Sequence, residues 1–340
     1  MQKGTVIFEK MFIKNKNIKI LLNYGLGPLL FIWLSYSMYT QIRNQPDLQN
    51  TLHKLRLSVT GQQSWKIYIA LILVLLNWGL EARKWQILLR PVETISFFNS
   101  FKAILAGLAF SMNTPNRIGE FGGRVLYVHE GHRWKALSLT VTGSFSQLIV
   151  TISIGCGGLL FLLTNTTTAA GIANYYIWIR VLFYGSLLVC IFLYLLYFRL
   201  GQIIKWAEKI PKARGFVQHL TVIEDLRVTI LLRTLALSFS RYLIFVFQYI
   251  LLLQLFSVEV SAWHSFWLIS VLYLILAVTP TIALAEVGIR GKVSLTLFTL
   301  VSTNDFGIAG AATAIWFINL VIPALAGSLL FLSLKIFSDK

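Results

Sequence analysis

The chain has 340 residues, of which 56% are hydrophobic and 13% are charged, and its mean hydropathy is +0.72. A soluble domain carries about 25% charged residues, so this composition excludes an ordinary soluble protein and predicts an all-α polytopic membrane protein. The net charge of +17 comes from basic residues spread over loops, which suits cytoplasmic loops and anionic lipid headgroups and argues against nucleic-acid binding. The length allows about seven to nine transmembrane helices of about 20 residues each. We expect one integral membrane domain, 1–340.

The predicted spans follow one another as apolar runs. In chain order, the runs long enough to cross the membrane cover about 20–39, 65–85, 136–163, 175–198, 229–256 and 307–334. The runs 97–112 and 293–301 are short for a crossing, and the run 266–278 leads directly into the second motif. The second run ends in the charged segment 81–85, which we place at the membrane interface with Trp85 as an anchor. The basic stretch 199–227 should include an amphipathic interfacial helix that ends at Pro211.

A short motif occurs twice, each time directly after an apolar run. The first copy is Thr114 to Arg124, and the second is Thr279 to Arg290. When Glu120 is aligned with Glu286, Gly122 also aligns with Gly288 and Arg124 aligns with Arg290. A proline break followed by a carboxylate and a guanidinium is costly at membrane depth. Two such breaks predict two re-entrant or broken helices that form a site between repeat halves.

The two motifs lie about half a chain length apart, which suggests approximate halves at 20–165 and 174–335. Three predicted spans separate the copies, and an odd number reverses the second copy, so we expect an inverted repeat. The N-terminal lysines and the stretch 199–227 should lie in the cytoplasm. The loops 165–174 and 257–263, which lack lysine and arginine, should lie on the other side.

The first motif carries residue types that recognise phosphate. Arg117, Glu120 and Arg124 fall on one face of a helix, so Glu120 can pair with both arginines. Free backbone amides after Pro115 and the arginine forks together favour an anion. Further donors would come from Asn113, Thr114 and Asn116. The alternative is that these ions only neutralise each other and hold a tight turn.

The second motif lacks a counterpart of Arg117, because Ala283 occupies that position in the alignment. Glu286 should therefore pair with Arg290, in a role that is either functional or structural. Arg241 lies deep in a predicted span and should face a polar cavity or pair with Glu120 or Glu286.

Other polar or reactive residues favour structural roles. Gln147 on the span after the first motif, with Ser144 and Ser146 beside it, should form hydrogen bonds between helices. The segment 129–132, His-Glu-Gly-His, lacks the histidine spacing of a zinc protease, so we expect no metal there and no cofactor elsewhere. Cys156 and Cys190 lie in apolar runs and should be small core residues. No convincing catalytic constellation is present, so we do not expect an enzyme.

Both motifs and the polar segment that leads to Ala136 resemble the lysylphosphatidylglycerol synthase transmembrane family, over about residues 20–335. The chain differs at Asn116 and Ala285, where family members commonly carry glycine. The resemblance implies a flippase-like protein of the bacterial inner membrane, multi-pass, with a cytoplasmic N-terminus. Because the chain ends at Lys340 after its last span, we expect a stand-alone member without the aminoacyl-transferase domain.

The leading hypothesis is translocation of an anionic phospholipid or lipid-linked phosphate headgroup between leaflets. Its candidate binding residues are Asn113, Asn116, Arg117, Glu120, Arg124, Arg241, Glu286 and Arg290. Two alternatives remain open, an integral-membrane lipid-modifying transferase and a membrane scaffold that transports nothing. The expected partners are this lipid and the membrane, and a homo-oligomer is compatible with the sequence.

Overall fold

The computed structural model describes residues 63–112, 114, 117–165, 175–209, 220–224, 226–280 and 283–330, together with Ile32 and Tyr36. These ranges form a helical bundle and contain no strand. The helices are α1 Trp65–Leu89, α2 Phe97–Ser111, α3 Gly119–Val125, α4 Arg133–Thr164, α5 Tyr176–Glu208, α6 Val228–Leu255, α7 Ala262–Val278, α8 Ala283–Phe298, α9 Asp305–Trp316 and α10 Ile322–Leu330. The predicted first span lies outside the described residues apart from Ile32 and Tyr36, which are helical.

Five helical segments of the described part are long and apolar enough to cross a membrane. They are α1, α4 with the turn before it, α5, α6 and the continuous segment Asp305–Leu330. Helices α2 and α7 are apolar but have only 15 and 17 residues. At 1.5 Å per residue they reach about 22–25 Å, less than the hydrocarbon thickness of about 30 Å. An all-α polytopic membrane protein is therefore confirmed, with each motif following a short helix.

Helix starts follow from local capping chemistry. The Ser96 hydroxyl accepts a hydrogen bond from the Asn99 backbone N–H at the start of α2, at 3.2 Å. Ser261 caps α7 in the same way, and the Asn304 side chain accepts from the Gly307 N–H at the start of α9. These side chains satisfy amides that have no partner within the helix.

Helix α5 is longer than the sequence pattern predicted. It continues to Glu208, so residues 199–208 extend the span and do not form a separate interfacial helix; the predicted end at Pro211 lies outside the described residues. Tyr197 and Ile204, seven residues apart, are both buried on one face, while Lys205 and Trp206 are exposed. Seven residues are about two helical turns, so one buried stripe runs through this part of the helix.

The last span is one continuous helix with a local defect. Residues Phe317–Val321 between α9 and α10 are a π-helical turn, and the Ile322 N–H donates to the Phe317 carbonyl five residues back. Pro323 has no N–H and its ring crowds the preceding turn, which explains why the hydrogen-bond pattern changes there.

Helix α6 lies at the centre of the described bundle and packs against α1, α4, α7 and α9. Helix α2 packs against α1, α3 and α10. The approach of α2 to α3 depends on glycine, because a Cβ at Gly123 would lie 2.6 Å from the Gly107 Cα. Two backbones that approach each other so closely need small residues at the contact, as is common between membrane helices. The short α3 is thereby held against the interior of the bundle.

Candidate functional site

Thr114 forms hydrogen bonds on both sides of the interruption between α2 and α3 in the first motif. Its hydroxyl lies 3.3 Å from the Ser111 carbonyl at the end of α2 and accepts a hydrogen bond from the Gly119 N–H at 2.8 Å. This amide, at the start of α3, is therefore already bound, whereas we expected the amides after the break to be free for an anion. Thr279 donates to the Ile275 carbonyl at 2.7 Å, so each motif begins with a threonine bonded to the helix before it.

Arg117 joins the two motif copies. Its Nη2 donates to both carboxylate oxygens of Glu286, at 2.9 and 2.8 Å, although the two residues are 169 positions apart. The Arg117 backbone has a φ of 58°, in the left-handed region that side chains other than glycine avoid. A strained backbone that aims a charged side chain is common at functional sites. The Arg117 side chain is 39% exposed, whereas that of Glu286 is 8% exposed, so Arg117 is the more accessible partner of the pair.

Arg117 lies before α3 begins, and this corrects one prediction. We expected Glu120 to pair with both Arg117 and Arg124 on one helical face. Because of the left-handed backbone at Arg117, its side chain leaves that face and reaches Glu286. Glu120 pairs with Arg124 alone, one helical turn away.

Arg124 connects α3 to α1. Its side chain is buried, and its Nη1 donates to Glu81 Oε1 at 2.8 Å. Glu81 also accepts from Lys84 at 2.7 Å and pairs with Arg241 on α6. We call Glu81, Lys84, Glu120, Arg124 and Arg241 the Glu81 cluster.

Glu81, Lys84 and Trp85 face the interior of the bundle, and not lipid or water as the prediction for segment 81–85 implied. We placed these charges at the membrane interface, but Glu81 and Lys84 are 4% and 1% exposed. Trp85 is buried as well, and its indole N–H donates to Thr140 on α4 at 2.9 Å. Asn77, Glu81, Lys84 and Leu88 recur every three or four residues, so they lie on one face that points into the bundle.

Arg241 is enclosed by polar and aromatic partners. Its Nε donates to the Asn77 side chain at 2.9 Å, and its Nη1 donates to Gln147 at 3.2 Å. Its guanidinium also lies 5.2 Å from the centre of the Trp78 ring. Arg241 thus pairs with Glu81, whereas the sequence had suggested that it faces a polar cavity or pairs with Glu120 or Glu286.

The predicted polar cluster on α4 connects helices. Ser146 and Ser238 of α6 are hydrogen-bonded at 2.8 Å, and Gln147 contacts both Ser238 and Arg241. Ser144 bonds only within its own helix, to the Thr140 carbonyl. Interhelical bonding is confirmed for Ser146 and Gln147.

The second motif forms a second group of ion pairs, which includes Arg117 of the first motif. Glu286, in the first turn of α8, accepts from Arg290 Nη2 at 2.8 Å, which confirms the predicted pair. The Arg290 guanidinium lies 5.6 Å from the centre of the Tyr273 ring on α7. We call Arg117, Glu286 and Arg290 the Glu286 cluster. Both motif copies form the same glutamate–arginine bridge at a spacing of four residues.

The other candidates have simple surroundings. Asn113 and Asn116 lie outside the described residues. The Nδ1 of His132 lies 3.2 Å from Glu93 Oε2, and the His129 backbone N–H donates to the same oxygen. Cys156 and Cys190 are free and buried, as predicted. The part of the chain that the structure describes contains no group of three histidine, cysteine or acidic residues suited to a metal ion.

These features define a polytopic α-helical membrane protein with two interrupted helices and ion pairs buried between them. Residues 21–327 match the family model of the lysylphosphatidylglycerol synthase TM region, and the chain belongs to this family. It is therefore a membrane protein related to lipid modification or transport. No curated protein and no solved structure shows a significant match to the chain.

Proposed function

We propose that this protein is a flippase that moves the headgroup of an anionic phospholipid or a lipid-linked phosphate between leaflets. The observation that carries the proposal is the Arg117–Glu286 bridge. It joins the two motif copies, and it uses one terminal nitrogen of a partly exposed arginine.

Arginine suits a phosphate because its planar fork matches two phosphate oxygens. In the proposed cycle the headgroup phosphate replaces the Glu286 carboxylate on Arg117. Arg124 and Arg241, in the Glu81 cluster, supply further positive charge. Glu120 and Glu286 hold the arginines when no headgroup is bound, because an unpaired charge is costly in the bundle interior.

Lipid translocation in proteoliposomes tests the proposal. The full chain is reconstituted with fluorescently labelled phosphatidylglycerol, and the label in the outer leaflet is quenched over time. Arg117→Ala should slow translocation about tenfold or more, since hydrogen bonds to a charged group contribute about 1.5–3 kcal/mol. The matched control is Arg83→Ala, because Arg83 is exposed and lies off the buried face of α1 that carries Glu81 and Lys84.

Two outcomes would favour the alternatives. Translocation no faster than in protein-free vesicles would support a scaffold. A change in lipid composition, measured by mass spectrometry before and after incubation, would support a lipid-modifying transferase, because a flippase leaves composition unchanged.

A further inference from the structure

The charges inside the bundle do not balance. Among the described residues, every buried charged side chain belongs to the Glu81 cluster or the Glu286 cluster. Together with the partly exposed Arg117 and Glu120, the two clusters contain five cations and three carboxylates. Two positive charges therefore have no carboxylate of their own within these clusters.

The two clusters adjoin each other. Arg117 belongs to one and Glu120 to the other, and three residues of chain span at most about 11 Å. A ligand at the junction is within the field of both clusters. Charges interact more strongly in a medium of low dielectric constant than in water. Both uncompensated positive charges therefore attract a group that is bound there.

Unpartnered donors occur in both clusters and beside the Glu81 cluster. Within the described part of the chain, the buried Nε atoms of Arg124 and Arg290 and the buried Nδ2 of Asn77 have no hydrogen-bond partner. All three are N–H groups, and Asn77 also binds Arg241. Buried donors need acceptors, so the clusters favour a ligand rich in acceptor oxygens.

We infer that the site prefers a dianionic phosphate headgroup, either a phosphomonoester or a diphosphate diester, over a singly charged phosphodiester. This inference rests on the proposed function and narrows its substrate class. Two negative charges neutralise the excess, whereas a phosphodiester leaves one buried cation uncompensated. A phosphomonoester carries about −1.5 to −2 charges at pH 7, with a second pKa of about 6.

Equilibrium binding to the full chain in detergent micelles tests the inference, with fluorescent phosphatidic acid and fluorescent phosphatidylglycerol as probes. At pH 8 we expect phosphatidic acid to bind about tenfold more tightly or better. At pH 5 the preference should largely disappear, because phosphatidic acid then carries one charge. Displacement by inorganic phosphate at similar concentrations would identify the free ion, and not the lipid headgroup, as the dianion that binds.

Variants that change the excess provide a second measurement. Lys84→Met reduces the excess to one positive charge, so the affinity for phosphatidic acid should fall towards the affinity for phosphatidylglycerol. Glu120→Gln raises it to three at a less buried position, and the preference should persist or grow even if the Lys84 variant does not fold. Arg83→Met, an exposed change on the same helix, should have no effect.

Equal affinity for the two lipids at pH 8 would overturn the inference. If both lipids are then translocated in a manner that depends on Arg117, the proposed flippase function still holds. Tighter binding of phosphatidic acid without translocation of either lipid would support the dianion site and contradict transport.

Discussion

Glu81 shows how far local sequence can predict a buried charge. It meets cations from three parts of the chain: Lys84 in its own helix, and Arg124 and Arg241 at separations of 43 and 160 residues. A glutamate and a lysine near the end of an apolar run also fit a membrane interface. The available signal was the helical spacing of Asn77, Glu81 and Lys84, together with an arginine deep in a later span that needs a counterion.

Pairs at a spacing of four residues were easier to predict, because a regular helix fixes their distance. Glu120–Arg124 and Glu286–Arg290 both form. Arg117 could not be predicted in this way, because its partner depends on a left-handed backbone at the break and on the packing of a distant helix.

Replacing Glu81 with glutamine should strongly destabilise the protein. Three buried cations would then share a neutral amide, and breaking a buried ion pair costs about 3–5 kcal/mol. Unfolding of the purified protein in detergent measures the loss. Glu93→Gln is the control: this carboxylate contacts His132, which is 43% exposed, and the change should cost about 1 kcal/mol or less. Similar losses for both variants would contradict the central role of Glu81.

The left-handed backbone at Arg117 predicts an unusual order of stability. Both Arg117→Ala and Arg117→Gly lose the bridge to Glu286, but only glycine adopts this φ without strain. The free energy of unfolding should therefore be about 1 kcal/mol higher for the glycine variant than for the alanine variant. Ser257, with a φ of 56°, offers a comparison away from the site, and Ser257→Gly should be similarly favourable. An alanine variant as stable as the glycine variant would argue against this backbone conformation.

At the level of elements, apolar runs and breaks were predictable because lipid demands long apolar helices with satisfied backbones. The runs at 136–163 and 229–256 correspond closely to α4 and α6. The end of α5 was not predictable, because charged residues in its last turns resemble a loop unless the partners of Tyr197 and Ile204 are known. The glycine-dependent approach of α2 and α3 likewise appears only once the two helices are placed.

Two adjacent glycines in α3 should respond differently to alanine. At Gly123 the added Cβ meets the backbone of Gly107, and overpacking typically costs about 1–3 kcal/mol. At Gly122 it meets nothing within 4 Å, so alanine should be neutral or slightly stabilising through helix propensity. Thermal unfolding of the two variants measures the difference. A Gly122 variant as unstable as the Gly123 variant would mean that α3 packs differently.

At the level of the whole molecule, three long helices separate the motifs, namely α4, α5 and α6. This agrees with the count that led us to expect an inverted repeat, and the opposite orientation of the copies stays a prediction. Sequence alone could suggest that the copies meet but not through which residues, because the contact joins positions 169 apart.

Cysteine labelling of intact cells tests the orientation. Lys209 and Glu259 are exposed and flank opposite ends of α6, so they should lie on opposite sides of the membrane. In a background with Cys156 and Cys190 replaced by alanine, Glu259→Cys should react with an impermeant maleimide. Lys209→Cys should react only after permeabilisation, because the basic stretch 199–227 favours the cytoplasm. The reverse labelling pattern would mean that the orientation in the membrane is opposite to the predicted one. Labelling of both cysteines from outside would contradict their placement on opposite sides of the membrane.

The position of Glu81 and Lys84 also bears on how the chain is made. Translation delivers α1 before α3 and α6, so both arginine partners of Glu81 emerge later. Lys84, 2.7 Å from Glu81 and in the same helix, is the counterion present from the start. It lets α1 reach the lipid as a neutral pair, whereas an isolated carboxylate would oppose insertion. Arg241 is synthesised later, on α6, when α1 has already been made. The carboxylate of Glu81 therefore precedes both arginines with which it pairs.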